Sequence, residues 1–383
     1  MSLKTPFIVL LAPLDWGLGH ATRCIPIIKE LIKQQAQVIL AVNKVQKALL
    51  LQEFPDLECL DIPAYPISLK RGFLLKWALL FRVPFILRHI KLENNWLNDL
   101  KKARVIHAVI SDNRYGLYHK DMPCIFITHQ LSLQSGVAHS ANWTRPSSAW
   151  RQLPAKKIDG ILLKIHYHFI RKFNACWIPD TERDPSVAGK LSHPPIPIPI
   201  AHNYIGLLSR FHSLRKPVQP NSLLVLISGP EPQRSDFEKI LFAQLKVVKM
   251  NICVIRGLPD AYDMPIANEG DIRIINHLPA QQLEQLIAES EYIISRSGYS
   301  TIMDLLIMQK TALLIPTPGQ TEQEYLGARL HELKWMYSVE EKALNLARDI
   351  ELVRHFEFHK PEVFESYLEE AVSDLLNTAT EKL

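Results

Sequence analysis

Two stretches carry residues whose types and spacing suit chemistry: Gly17-Leu18-Gly19-His20 near the N-terminus, and the segment from 295 to 328. In the second, Tyr292-Ile293-Ile294 reads as a buried strand. Ser295-Arg296-Ser297-Gly298-Tyr299-Ser300-Thr301 then reads as the turn and cap of a helix with Ile302, Leu305, Leu306 and Met308 on one side. A helix N-terminus presents unpaired N–H groups and a partial positive charge. Ser297, Gly298 and the amides up to Thr301 therefore suit a diphosphate, with Arg296 as counter-charge. Gly298 lets a ligand approach the backbone closely, and Asp304 is expected on the helix's first exposed turn. A second strand, Ala312-Leu313-Leu314-Ile315, ends at Pro316. A polar loop follows it to a helix opening at Glu322-Gln323-Glu324, side chains suited to sugar hydroxyls. Two strand-to-helix junctions are thus expected together at the carboxyl edge of a parallel sheet, where open α/β sheets bind ligands. On residue types alone a plainer reading stays open: an ordinary N-cap at 297–301 and a helix-dipole carboxylate at Asp304.

The elements that must position these residues are legible along the chain. Phe7 to Ala12 is a continuous apolar run, as in a strand covered on both faces. A helix from about Ala21 to Gln34 follows, burying Ile25, Ile28, Leu31 and Ile32, and Val38 to Val42 completes a βαβ unit. Gly17 and Gly19 give a tight turn that leaves His20 at the helix mouth. The full G-x-G-x-x-G fingerprint is absent, which disfavours a dinucleotide. Val105 to Asp112 reads as a strand ending in a carboxylate, and Cys124 to Thr128 as one followed by His129-Gln130. A capping role for His20 and a turn role for Asp112-Asn113 are the structural alternatives. The proline-rich passage 193–199 excludes helix and central strand and is read as the connector between domains. After Tyr204-Ile205-Gly206 the sheet restarts at Leu223 to Ile227 with Ser228-Gly229 behind it. Strands at 252–255 and 272–275, then His277-Leu278 and a helix to Ala288, precede the segment described first, and an amphipathic helix over 361–376 ends the pattern.

Residues 296 to 304, Arg-Ser-Gly-Tyr-Ser-Thr-Ile-Met-Asp, resemble the nucleotide-sugar signature of GT-B glycosyltransferases. The likeness extends to the peptidoglycan N-acetylglucosaminyl transferase of family 28 and to the UDP-glucuronosyl and glucosyl transferases. Glu322-Gln323 and Ala328 fall where those families carry a sugar-binding pair and a small residue. The resemblance implies an α/β GT-B protein: a Rossmann-like acceptor domain at 1–202, a Rossmann-like nucleotide-sugar domain at 203–360, and a C-terminal helix at 361–383 that crosses back to the first domain. It implies that His20 is the general base and Asp112 its orienting partner. On the donor side it points to Gly17, Gly19, Ser228, Gly229, Arg296, Ser297, Gly298 and Thr301 for phosphate and Asp304 for the ribose diol. It further points to the backbone at His277 and Leu278 for uracil, and to Glu322, Gln323 and Glu324 for the sugar. Asp15, Trp16, His129 and Gln130 are expected on the acceptor side. Two positions depart from the pattern: Asp304 replaces a Glu, and Gln309-Lys310-Thr311 replaces Gly-x-Pro. The implied reaction is inverting, metal-independent transfer of a hexose or N-acetylhexosamine from a UDP-sugar to a hydroxyl, and no Asp-x-Asp motif suggests a phosphate-bridging cation. The opening GLGHATRC also resembles GT-B-fold nucleotide-sugar hydrolases, in which His20 would activate water. A non-catalytic nucleotide-sugar binder is the third reading.

Composition bounds the partners. The 383 residues suffice for two domains, and 47% hydrophobic with 22% charged is a globular balance. No apolar run reaches the length of a membrane span and no signal-peptide pattern opens the chain, so a cytoplasmic protein is expected, peripheral to the inner face of the membrane if lipid is its acceptor. Five scattered cysteines support neither disulfides nor zinc. Residues 1–200 hold 26 Lys and Arg against 14 Asp and Glu, whereas residues 201–383 hold 18 against 25, so the basic surplus sits in the acceptor half. It concentrates with aromatic residues in 70–91 and 143–173. Each stretch reads either as core-packed helices with snorkelling cations or as a surface for anionic lipid, and so for a lipid-linked glycan acceptor of the cell envelope. Pro84 is expected to split the first into two short helices. No nucleic-acid-binding motif accompanies the charge.

Overall fold

The computed structural model describes residues 6–64, 75–132, 153–214, 216–261, 272–362 and 364–380. Residues 70–74 and 143–152 of the two basic-aromatic stretches lie outside them. Two parallel sheets organise the chain. The first takes β1 (Ile8–Pro13), β2 (Gln37–Val42), β3 (Glu58–Asp61), β4 (Ala108–Asp112), β5 (Cys124–Ile127), β6 (Ala175–Ile178) and β7 (Ala201–Tyr204), in the order β3-β2-β1-β4-β5-β6-β7. The second takes β8 (Gln219–Leu226), β9 (Asn251–Ile255), β10 (Arg273–Ile275), β11 (Ser290–Ser295), β12 (Leu313–Leu314) and β13 (Tyr337–Ser338), in the order β10-β9-β8-β11-β12-β13. Both sheets therefore reverse direction of winding between their first and fourth strands. The loops leaving β1 and β4 on one side, and β8 and β11 on the other, flank the crevices where such sheets take ligands.

Helices cover both faces of each sheet. In the first domain α1 (Leu18–Lys33) buries Ala21, Cys24, Ile25, Ile28 and Leu31 at helical spacing, while α2 (Lys44–Glu53) is opened by a capping box between Asn43 and Gln46. The opposite face is covered by α3 (Leu75–Ala103) and α4 (Leu153–Ile170). Contrary to the sequence reading, α3 is one continuous helix of 29 residues with Pro84 inside it. A proline removes one backbone bond at a cost of about 3 kcal/mol, and Ile90, Glu93 and Leu97 anchor the turns beyond it in the core. In the second domain α5 (Gln233–Leu245), α6 (Ala280–Glu289), α7 (Tyr299–Ile307), α8 (Thr321–Glu332) and α9 (Leu346–His355) surround the sheet.

The domain boundary differs from expectation. Prolines 194–199 precede β7, which pairs with β6 in the first sheet, so the expected cut after 202 falls inside a strand. The connector is the segment after Tyr204, before β8, and Ile205, Leu207 and Leu208 within it are buried. The final helix, α10 (Leu368–Thr380), starts later than expected and packs back on α1: Lys33 meets Glu369 at 2.7 Å and Ser373 donates to Gln34 at 3.0 Å. One apolar cluster runs unbroken from Ile25 and Ile28 through Ile205 and Leu207 to Tyr299, Leu326 and Val372, so the domains share a core. At its rim Arg329 donates to Ser186 O at 2.7 Å, and the amide of Lys190 donates to the Tyr325 hydroxyl at 2.9 Å.

Candidate active site

Register places the first half of the site. Pro13 at the end of β1 lies beside Asp112 at the end of β4, and α1 begins five residues beyond Pro13. Gly17 is the N-cap of α1 with φ of 125°, a conformation L side chains rarely adopt, and this turn brings His20 back over the strand end. The Nδ1 atom of His20 lies 3.0 Å from Asp112 Oδ2. His20 keeps 20% of its side chain exposed while Asp112 is buried. Burial alone would raise the Asp112 pKa, but the guanidinium of Arg23 and the ring of His20 more than offset it and hold the carboxyl well below its usual range. His20 is lowered from its ordinary value, chiefly by burial and further by Arg23, with Asp112 opposing. With Nδ1 facing Asp112, Nε2 is the ring atom left for a substrate, and burial favours the neutral ring that a general base requires.

Arg23, part of the GLGHATRC opening but given no role from the sequence, is the centre of this cluster. Its Nε donates to Asp112 Oδ2 at 2.8 Å, its Nη2 pairs with Asp112 Oδ1 and lies 2.9 Å from His20 Nδ1, and its Nη1 lies 3.2 Å from His129 Nδ1. A signal was available, since residues three apart on a helix share a face. His129 in turn sets Nε2 2.8 Å from Oε1 of Glu322, and Gln130 Nε2 donates to Glu322 Oε2. Its ring stacks on Tyr299 with centroids 3.9 Å apart. The expected acceptor-side pair His129-Gln130 therefore grips the expected donor-side Glu322 across the cleft. Asp15 and Trp16 stand in the loop between β1 and α1. The Asp15 side chain is buried 3.8 Å from Arg114, and Trp16 is 41% exposed.

The second half is built at the N-termini of α7 and α8. Gly298 is the N-cap of α7 with an unstrained φ of −72°, and a Cβ built there meets no atom within 4 Å. Ser297 does not cap the helix. Its hydroxyl donates to the carbonyl of Gln323 at 2.8 Å and ties the two junctions together. Gln323 Oε1 accepts from the Thr317 amide at 3.0 Å, and Glu324 accepts from the Gly319 amide at 2.8 Å. Both side chains are thus committed to shaping the loop before α8. The hydroxyl of Ser300 donates to the carbonyl of Gly19 at 2.8 Å, which sets the mouths of α1 and α7 against one another, with Thr301 half-buried beside it. Ser228 and Gly229 are exposed after β8, and His277 and Leu278 follow β10. Burial, with help from Arg210, pushes the His277 ring down to about 4.

Two expectations fail here. Arg296 is not the counter-charge of the α7 mouth: its guanidinium is buried, pairs with Glu341 at 2.5 Å, donates to the carbonyls of Ile315 and Pro316, and lies 3.6 Å from the Phe237 ring centroid. Alternation explains this. A residue that follows Ser295 at a strand end points to the opposite face from Ser295 and Ser297. Asp304 is buried, 8% exposed, because the connector lies over it. Ser209 donates to its Oδ1 at 2.7 Å and Arg210 Nε sits 3.7 Å from Oδ2. Burial raises its carboxyl to about 6, against the pull of Arg210 and Ser209.

Residues 258–376 match the glycosyltransferase family 28 C-terminal domain. No curated protein sequence matches the chain significantly. Among solved structures, the glycotransferase of kitacinnamycin superposes with a TM-score of 0.60 at 11% identity, covering 99% of this chain and 96% of the other. A UDP-glucosyltransferase from Polygonum tinctorium gives 0.59 at 12% identity, covering 99% and 95%. Acinetobacter baumannii MurG gives 0.51 at 12% identity, covering 98% and 100%. At these identities the superpositions speak for the fold, and the family match speaks for residues 258–376. The chain has the GT-B fold, carries a glycosyltransferase family 28 C-terminal domain and is a glycosyltransferase.

Proposed function

We propose that the protein is an inverting, metal-independent glycosyltransferase that moves a hexose or N-acetylhexosamine from a nucleotide-sugar, UDP-linked by preference, to a hydroxyl acceptor. The observation that carries this reading is the opposition of the His20–Asp112 dyad to the mouth of α7, with Ser300 and Gly19 in direct contact between them. His20 Nε2 takes the acceptor's proton as the acceptor oxygen bonds to the anomeric carbon, and the bond to the diphosphate breaks on the far side. The leaving charge falls to the amides at the start of α7. Asp304 takes the ribose and Glu322 the sugar, whose arrival displaces His129 and Gln130 from that carboxylate.

A lipid-linked acceptor fits the first domain's surface. α3 exposes Phe85, Leu87, Arg88, Lys91 and Leu92, and α4 exposes Ile161 and Lys164. Between the helices Ile86, Ile90 and Phe169 pack with Leu14, so α3 and α4 adjoin the loop that leads to His20. Among the described residues no helix is long and apolar enough to cross a membrane. A peripheral placement on anionic lipid belongs to the proposal.

Thermal-shift titration with UDP, GDP, dTDP and CDP tests the donor. A ligand at ~100 times its Kd adds ~2.7 kcal/mol, and UDP is expected to give the largest shift. Release of free sugar from the donor at a full catalytic rate without acceptor would overturn the transfer reading in favour of hydrolysis. The α7 mouth has its own test. Because Gly298 has ordinary backbone angles and open space, Gly298→Val should change stability by no more than ~1 kcal/mol. It should nevertheless weaken UDP at least ~10-fold, or ~1.4 kcal/mol, since the branched side chain fills the space assigned to phosphate. Unchanged UDP affinity by calorimetry would remove the diphosphate from this helix.

A further inference from the structure

Four of the five N–H bonds of Arg23 face partners on three different segments, with Asp112 at the end of β4, His20 on its own helix, and His129 after β5. Two consequences follow from donor and acceptor rules alone. A guanidinium only donates, so His129 Nδ1 facing Nη1 must offer its lone pair, and the ring proton stands on Nε2, where it donates to Glu322. At His20, Nδ1 has two suitors. Bearing a proton it donates to Asp112 Oδ2 at 3.0 Å, and bare it accepts from Arg23 Nη2 at 2.9 Å. Only the first arrangement frees Nε2 to act as base.

We propose that Arg23 is a positioning residue for both histidines: it divides Asp112 between itself and His20, and it holds His129 in the tautomer that grips Glu322 of the other domain. In the ligand-free protein a polar chain, Glu322, His129, Arg23, Asp112, His20, thereby ties the two domains together across the cleft. Arg23 is 3% exposed and touches neither substrate in this scheme. The charged and titratable groups around His20 are Arg23 on its own helix, Asp112 from β4 and Glu322 from α8, with His129 beyond Arg23 and the Cys24 thiol near Asp112. Removing the guanidinium leaves Asp112 undivided beside His20, which favours the imidazolium. A lysine keeps the charge but lacks the planar fork that spans Asp112 and His129 together.

The proposal rests on the reading of His20 as base, so its test measures protonation, not turnover. In isotope-labelled protein, the titration of His20 is followed by NMR, with its resonance assigned by loss in His20→Gln. The tautomer of His129 is read from its ring nitrogen shifts. Arg23→Met is expected to raise the His20 midpoint by about 1 or more. Arg23→Lys, the milder change, is expected to leave that midpoint near the parent value while His129 loses its fixed Nε2–H form. An unmoved His20 midpoint in Arg23→Met, or a His129 tautomer that survives Arg23→Lys, would overturn the proposal and reduce Arg23 to a structural ion pair. Should Arg23→Met fail to fold, the Arg23→Lys tautomer decides alone. A failure of His20 as base would appear instead as undiminished turnover in His20→Ala, with the Arg23→Met and Arg23→Lys results still as expected.

Discussion

His20→Ala should bind the nucleotide-sugar as tightly as the parent protein and turn it over at least ~10²-fold more slowly, the usual weight of a positioned general base. The residue stands on the first domain, and the groups assigned to ribose and diphosphate stand on the second. Its removal also leaves the Asp112–Arg23 pair intact, so no buried charge is stranded. The pH dependence follows in sign. A base acts when deprotonated, so kcat/KM rises with pH through the free enzyme's His20 pKa and then levels. Burial, seconded by Arg23, lowers that pKa from its ordinary value, so the rising limb belongs on the acid side of an ordinary histidine's. Calorimetric titration of the donor and stopped-time assays of nucleoside diphosphate release measure the two halves. Lost donor affinity with unchanged turnover would assign His20 to the donor, and a limb centred above pH 7 would mean that another group takes the proton.

The dyad was legible because both partners stand at strand ends that an apolar run announces. Phe7 to Ala12 closes at the loop carrying His20, and Asp112 ends a run whose register against β1 is fixed by parallel pairing. The two-sheet architecture was legible for the same reason, since strands covered on both faces read as unbroken apolar stretches. What the sequence hid depends on contacts made far along the chain. Ser209 and Arg210 reach Asp304 from the connector, 95 residues away in the case of Ser209, and nothing in a local pattern places a linker over a helix. The place of Arg296 was legible too, because strand alternation already aims that side chain away from Ser295 and Ser297. Proline density does not mark the domain boundary, because these prolines lead into the last strand of the first sheet. Arg23 sits between these cases: its helical spacing from His20 was visible, but its value arises from Asp112 and His129, which only the folded sheet brings together.

Asp304→Asn should make the ligand-free protein more stable at neutral pH and the nucleotide complex weaker, two effects of opposite sign from one carboxylate. Its pKa rises from 3.8 to about 6 on folding, so between those values the folded chain holds a proton the unfolded chain has released. Stability from this group is complete below about pH 3.8 and declines as pH climbs through about 6. Above that the ionised carboxylate in its buried site costs about 3 kcal/mol, at roughly 1.4 kcal/mol for each pH unit of displacement. An asparagine carries no such charge, so the variant's gain in Tm should be present at pH 7.5 and absent at pH 4. Binding behaves the other way. A ribose diol donates two hydrogen bonds and is best received by the ionised form, so UDP affinity of the parent should strengthen as pH rises from 5 to 7 and nucleotide uptake should release a proton. The variant should lose that dependence together with its affinity. Thermal denaturation at the two pH values and calorimetry of UDP in buffers of different ionisation enthalpy read both arms. A parent whose UDP affinity is flat from pH 5 to 7 would detach Asp304 from the ribose, and an Asn variant no more stable at pH 7.5 would mean that Ser209 and Arg210 already neutralise the buried charge.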